Sequence, residues 1–337
     1  MTSPFIQSIP APDFYTNGRS LRVGVLSNPR SGGNKRGGKG IRDVLAKWPD
    51  VMQRDAFTQE GVAKALVDFS QSGVELVVVN GGDGTVQAAL TSIGNNEIYS
   101  SPPLFALLCA GTTSMLARDV GIKGSPSAAL PRVLEWAEAT NTSLTVRARP
   151  VLQVQRSSQQ PSLFGMFFGA GAICQGIKIF HNRDNPMGWR GELMPAFTML
   201  RLLLAILCKD HEKVPPFLTR TSLNGRPAEQ RADLLVLVST LERLFLGMRP
   251  YWGKEDGPLR YTAVGVEPKR LTRVLISLFR SQNRRHATPA NGYFSHNLQA
   301  VRLDMEGDFT LDGELYSAGE GPVTITSAGT ARFLCLR

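Results

Sequence analysis

The sequence predicts an α/β N-terminal domain with a doubly wound, mostly parallel sheet, followed by a mostly β, sandwich-like C-terminal domain. Three observations carry that expectation. Up to about residue 140, buried-strand candidates alternate with helix-length segments, which implies right-handed crossovers in one sheet. After about Asn141, short strand candidates follow one another between turn-rich stretches. Within the first of these regimes sits Leu76-Val-Val-Val-Asn-Gly-Gly-Asp-Gly-Thr85, a β-branched run feeding straight into a glycine-dense turn and helical sequence. With 337 residues and 42% hydrophobic content, the chain has room for two cores.

The elements follow in order. Residues 1–20 read as an extension: Met1 to Asn17 carries Pro4, Pro10 and Pro12 and no charged lead into an apolar core, so no signal peptide is expected. The nucleotide-binding domain is expected over 21–140. Leu21–Leu26 is its first strand, followed by a Gly/Lys/Arg loop and a helix running toward Trp48. A strand near Val51–Phe57, a helix from about Glu60 to Gln71, the strand before Gly81 and its helix come next. A strand at Leu104–Leu108 then leads through Gly111-Thr-Thr-Ser114 into helical sequence. In such sheets, ligands sit beyond the carboxyl ends of the strands, where all three loops converge. The β-rich domain, 141–337, offers strands at Ser143–Arg149, Val151–Gln155, Leu163–Phe168, Leu234–Ser239, Tyr261–Val266, Leu298–Met305 and Val323–Thr326. Its last strand has the option of returning to the first domain. Two helices interrupt it, Ala196–Cys208 and Arg270–Arg284.

Charge and cysteine usage narrow the classes. A net charge of +10 favours anionic partners without choosing among them. Nucleic acid is set aside, because no basic stretch is interleaved with aromatics. Cys109, Cys174, Cys208 and Cys335 are widely spaced, which excludes a zinc or disulfide framework and fits a reducing compartment. The run Leu193 to Cys208 is broken by Pro195 and Arg201, too short for a membrane span. His181, His211, His286 and His296 lack ligand spacing. A cytoplasmic protein, peripheral at most on the inner membrane face, is expected; a homodimer is compatible with the sequence.

Four constellations carry chemistry. Asn28-Pro-Arg-Ser-Gly-Gly33 continues through Asn34 to Gly40 and misses a Walker A loop only at its closing Ser/Thr, so the P-loop reading is rejected. A phosphate cradle or a flexible basic loop remains. In Gly81-Gly-Asp-Gly-Thr85, the helix start favours anions, and Asp83 calls for a cation or sugar hydroxyl as partner. In Ala110-Gly-Thr-Thr-Ser-Met-Leu-Ala-Arg118, Gly111, Thr112 and Thr113 suit phosphate or ribose while Ser114 caps the helix. Leu311-Asp-Gly-Glu-Leu315 is a hairpin signal. It is also a place for a general base, Asp312, with Glu314 as electrostatic or metal partner. Asp304, Glu306 and Asp308 make this stretch acidic enough to suit Mg²⁺.

Together, Asn28–Gly32, Gly81–Thr85, Gly111–Arg118 and Asp312–Glu314 resemble, in order and spacing, the diacylglycerol kinase catalytic-domain family, relatives of sphingosine, ceramide and NAD kinases. The resemblance runs from about Arg22 to Arg337. It implies an ATP- and Mg²⁺-dependent lipid kinase that binds ATP between its domains and meets a lipid substrate at a membrane surface. It places nucleotide contacts at Asn28, Ser31, Gly32, Thr58, Gly81, Gly82, Asp83, Gly84, Thr85, Gly111 and Thr112. It implies a metal-associated aspartate at Asp256, with Asp312 and Glu314 as the carboxylates for substrate deprotonation. Gly169-Ala-Gly171 matches the family's small-residue stretch at the domain junction. Two departures stand out. Val86-Gln87-Ala88 replaces a motif ending in Asn-Glu, which removes a nucleotide contact. Ser114 and Met115 replace Asn and Asp of the third loop. A soluble acceptor such as NAD, a sphingoid acceptor, or a non-catalytic binding role are the alternatives. Finally, Arg270–Arg285 places Leu271, Val274, Leu275 and Leu278 at helical spacing between arginines, either an interfacial helix or a packed one with a solvated basic face.

Overall fold

The computed structural model describes residue 5 and residues 20–111, 114–139, 144–157, 159–181, 210, 212, 214–244, 247–280 and 285–336. The chain divides into two units, Met1–Val151 with Ala328–Arg337, and Leu152–Ser327.

In the first unit, β1 (Val23–Ser27), β2 (Met52–Asp55), β3 (Leu76–Gly81) and β4 (Leu104–Cys109) are joined by the last residues of β15 (Val323–Leu336). All neighbours are parallel, in the order β2-β1-β3-β4-β15, with Val25 opposite Val78 and Val78 opposite Ala106. β1, β3 and β4 are apolar on both faces because helices cover both, whereas the edge strand β2 is polar and largely exposed. On one face, Val23, Val25, Leu76, Val78, Leu104, Ala106 and Leu334 pack against α1 (Asn34–Leu45) and α5 (Pro126–Ala137). Helices α2 (Gln59–Gln71) and α3 (Asp83–Asn95) belong to the other face, where the Phe69 ring lies over Gly24. A short α4 (Met115–Val120) precedes α5. This is the expected doubly wound α/β architecture.

The second unit is mostly antiparallel. Its strands are β5 (Leu144–Gln155), whose later residues pair with β6 (Leu163–Gly165), then β7 (Phe167–Gly171), β8 (Phe217–Leu223), β9 (Glu229–Ser239) and β10 (Leu259–Gly265). They continue with β11 (Tyr293–Leu298), β12 (Ala300–Met305), β13 (Asp308–Leu311), β14 (Glu314–Ser317) and the first residues of β15. The order β14-β13-β7-β9-β8-β12-β15 has β10 and β11 added at the end of β9. Val236, Val238, Tyr261, Phe168, Phe309, Leu303 and Ile325 form its core. The strand expected at 298–305 is β12, which starts at Ala300, Leu298 being the last residue of β11. The N–H groups of Gln299 and Ala300 turn onto Asn224 Oδ1 at 2.8 and 3.0 Å, which ends β11 before β12 starts.

Two further helices decorate this unit, α6 (Ala172–His181) and α7 (Leu271–Arg280). Leu271 and Val274 of α7 pack with Ala287, Tyr293 and Trp252, as the packed alternative of the two expects for those positions. The helix expected at 196–208 lies outside the described residues. Among the described residues, no helix is long and apolar enough to cross a membrane.

Candidate active site

At the carboxyl ends of β1 and β3 the chain terminates each strand with a side chain that hydrogen-bonds instead of packing. Asn80, 2% exposed, closes the valine run of β3; its Nδ2 donates to Ser27 Oγ at 3.2 Å, and its main-chain oxygen accepts the Asn28 N–H at 2.9 Å. Asn34, buried at the start of α1, donates to the main-chain oxygens of Asn28 and Asn80 at 2.8 and 3.0 Å. Asn28 Nδ2 reaches Thr85 Oγ1 at 3.2 Å, and Ser31 Oγ donates back to the Asn28 carbonyl at 2.9 Å. The first loop is thereby tied to the second. It is tied to the third as well, since the N–H of Gly33 donates to Ala110 O at 2.7 Å. A Cβ on Gly111 would lie 2.8 Å from the Gly82 Cα, so these two loops touch backbone to backbone and only glycine fits.

Asp83 has a definite partner. It is 8% exposed, and its Oδ2 and Oδ1 accept the N–H groups of Met115 and Leu116 at 2.8 and 3.1 Å. The carboxylate therefore caps α4 from the neighbouring loop, satisfying donors that a helix start leaves orphaned. Ser114 does not supply that side-chain cap, contrary to expectation. It sits in the left-handed region at φ 43, and its Oγ closes a small loop by accepting the Gly111 N–H at 3.0 Å and donating to the Gly111 carbonyl at 2.9 Å. Gly82, extended, precedes α3, so Asp83, Gly84 and Thr85 form its first turn, the positive end of the helix. Thr58 caps α2, its Oγ1 accepting the Gly61 N–H at 3.1 Å. Gly32 is exposed beside Ser31. Thr112 lies outside the described residues. Gln87 turns inward, donating to Thr91 Oγ1 at 3.0 Å within α3, and Ala88 is buried beside it.

The second unit holds the other carboxylates. Leu311 pairs with Glu314, so Asp312-Gly313 is a two-residue hairpin loop, and both residues have positive φ, 50 and 95. That is the backbone an Asp-Gly turn of this length prefers. A plain turn would leave its aspartate in water, yet Asp312 is 3% exposed. Its Oδ1 accepts the Phe167 N–H at 2.8 Å, its Oδ2 accepts the Met166 N–H at 3.0 Å, and its own N–H donates to Phe167 O at 2.8 Å. Gly165 makes the space, because a Cβ there would lie 2.4 Å from Asp312 Oδ2. Glu314 begins β14 and is exposed. Asp256 is exposed in the turn before β10; its neighbour Glu255 engages His296 Nδ1 at 2.7 Å and the Asn297 N–H at 3.1 Å. Gly169 to Gly171 lie in β7, antiparallel to both β9 and β13. Asp308 pairs with Lys178 at 2.7 Å. Among the described residues, no three His, Cys, Asp or Glu side chains converge as a metal cage.

Sequence reasoning missed Asn34 and Asn80 as the knots of the loops, and Gly165 as the seat of Asp312. A polar residue closing an apolar strand run is the signal that Asn80 carried; Gly165 had none.

Residues 22–144 match the diacylglycerol kinase catalytic domain family. The resemblance read from the loop motifs is thereby shown for the diacylglycerol kinase domain segment. A Caenorhabditis elegans protein provisionally named a diacylglycerol kinase is 33% identical over 113 residues, which is 33% of this chain and 12% of that protein. A Bacillus anthracis strain Sterne structure, provisionally named a diacylglycerol kinase, superposes with a TM-score of 0.65 at 18% identity over 98% of both chains. A second one with the same provisional naming gives 0.62 at 17% identity, covering 94% of this chain and 97% of its own. These identities speak for the fold.

Proposed function

We propose that the chain is an ATP-dependent kinase of the diacylglycerol kinase type, transferring the γ-phosphoryl group to a hydroxyl of a diacylglycerol-like lipid. The observation that carries this reading is the joining of three loops at the strand carboxyl ends of the matched domain into one backbone-lined, anion-favouring surface. Its elements are the start of α3, the loop after β1 and the loop after β4. Such a surface neutralises the phosphates and holds them in line, which is most of what phosphoryl transfer asks of a protein.

Asp312 takes the acceptor's proton. Main-chain donors fix its carboxylate, so it is oriented before any substrate arrives. As the hydroxyl oxygen bonds to the γ-phosphorus, the bond from that phosphorus to the bridging oxygen breaks and ADP leaves. Mg²⁺ would supply charge neutralisation on the nucleotide phosphates. Both oxygens of Asp83 accept main-chain donors, and no cage of three His, Cys, Asp or Glu side chains exists among the described residues. The lipid class is supported by the family match and by two exposed arginines, Arg270 just before α7 and Arg273 on it, which offer an anionic leaflet about 1 kcal/mol each.

The test is transfer of ³²P from γ-labelled ATP into a total lipid extract, with NAD as a parallel acceptor scored for NADP. Labelled lipid is expected with the wild-type chain and its loss with Asp312→Asn. Undiminished labelling by that variant, or NADP formed with no labelled lipid, would overturn the proposal.

A further inference from the structure

Beside the first loop stands an aromatic ring for which the fold has no use. The segment 56–58 leaves the carboxyl end of β2 with its backbone held on both sides. The Ala56 N–H donates to Ser27 O at 2.9 Å, and Thr58 is locked as the cap of α2. Between these anchors Phe57 is 50% exposed, the one aromatic among the exposed large hydrophobic side chains described. The Arg30 guanidinium lies 5.0 Å from the ring centroid, and the Arg30 N–H is itself anchored on Asn28 Oδ1 at 3.0 Å. Burying a phenylalanine is worth stabilisation, so a ring held fixed in water contributes least to folding and most to a flat apolar ligand.

We propose that Phe57, assisted by Arg30, is the stacking platform for the base of the nucleotide. This rests on the nucleotide-binding reading above and adds a residue to it. With Arg30 over one face of the ring, a purine stacks on the other, and the glycine loops that leave β1 and β3 receive the phosphates. Aromatic rings and guanidinium planes both bind bases by their faces. Face-on stacking makes no distinction between base edges, so adenine and guanine nucleotides should bind within a few-fold of each other unless another group selects between them.

The experiment is isothermal titration of wild type, Phe57→Ala and Phe57→Trp with ATP, GTP and inorganic tripolyphosphate, which has no base. Phe57→Ala should weaken ATP and GTP about tenfold, the change that about 1.4 kcal/mol produces. It should leave tripolyphosphate unchanged. Phe57→Trp should bind ATP as the wild type does, and its indole emission should change on adding ATP but not tripolyphosphate. Equal ATP affinity in wild type and Phe57→Ala would overturn the platform alone, as would an equal loss for tripolyphosphate. A wild-type chain that binds neither ligand would overturn the nucleotide reading beneath it.

Discussion

Replacing Asp83 tests whether that carboxylate works through the third loop. In the structure it accepts two N–H groups at the start of α4, from Met115 at 2.8 Å and Leu116 at 3.1 Å. Leu116 is fully buried, so its abandoned N–H finds no water; that alone costs about 1–3 kcal/mol. Loss of the cap at Met115 adds about 1 kcal/mol. Asp83→Ala should therefore lower the stability of the first unit by about 3 kcal/mol, a fall in Tm of about 6–12 °C for a unit of this size. Asp83→Asn keeps one acceptor oxygen and should lose about half as much. The assay is thermal unfolding without nucleotide, paired with hydrogen exchange at Met115 and Leu116. If Asp83→Ala melts within a degree of wild type, and those amides stay as protected as before, the capping argument is wrong. Any loss of activity would then have to come from direct contact with substrate.

Gly165→Ala would bring a Cβ to within 2.4 Å of Asp312 Oδ2 and 2.8 Å of Leu311 Cγ; it should cost about 1–3 kcal/mol and abolish transfer, while titration shows ATP affinity unchanged. Ser114→Ala and Ser114→Gly both lose the two Oγ hydrogen bonds to Gly111, but only glycine accepts φ 43 without strain, so urea unfolding should find the glycine variant more stable by about 1 kcal/mol. The hydrogen bond from His296, then the Asn297 N–H, draws Glu255 down from 4.5 to about 2. A lowered carboxylate pKa stabilises above the unfolded value, so the stability gap between wild type and Glu255→Gln should hold from neutrality to pH 5 and close between pH 4.5 and 2; at 49% exposure it should be only about 0.5 kcal/mol.

The first unit was legible because three of its strands are apolar on both faces, and β3 runs straight into a glycine-dense turn. Val23–Ser27, Leu76–Gly81 and Leu104–Cys109 announce themselves by composition alone. The strand Phe217–Leu223 did not, because its alternation runs backwards: Leu218 is 58% exposed while Thr219 and Thr221 point inward. Thr219 turns in to donate to the fully buried Asp233 at 3.0 Å, and a pattern search for apolar residues on the inner face passes over it. The helix Ala172–His181 was hidden similarly, since the chain turns into it through Gly171 at φ 69, straight off a strand with no polar cap to mark the boundary. Within the site, the tie from Asn34 to the Asn80 carbonyl was invisible because it reaches a main-chain atom 46 residues away.

The Asp-Gly pair shows why a turn signal and a chemical signal need not compete. A two-residue hairpin of the type I′ kind has positive φ at both positions, and aspartate tolerates that region better than most residues because its short side chain bonds locally. Here the bond is not local: the turn aims the carboxylate at Met166 and Phe167 across the neighbouring strand β7. The tightness of the turn thus fixes where the carboxylate points, and lengthening it by a single residue would release it. Asp83 and Asp312 share this device, each a carboxylate whose oxygens accept main-chain N–H groups from another segment. Short of proline, no substitution removes a main-chain donor; it can only move it. Changes at the glycines and turn residues that position those donors should therefore reach the chemistry as directly as changes to the carboxylates themselves.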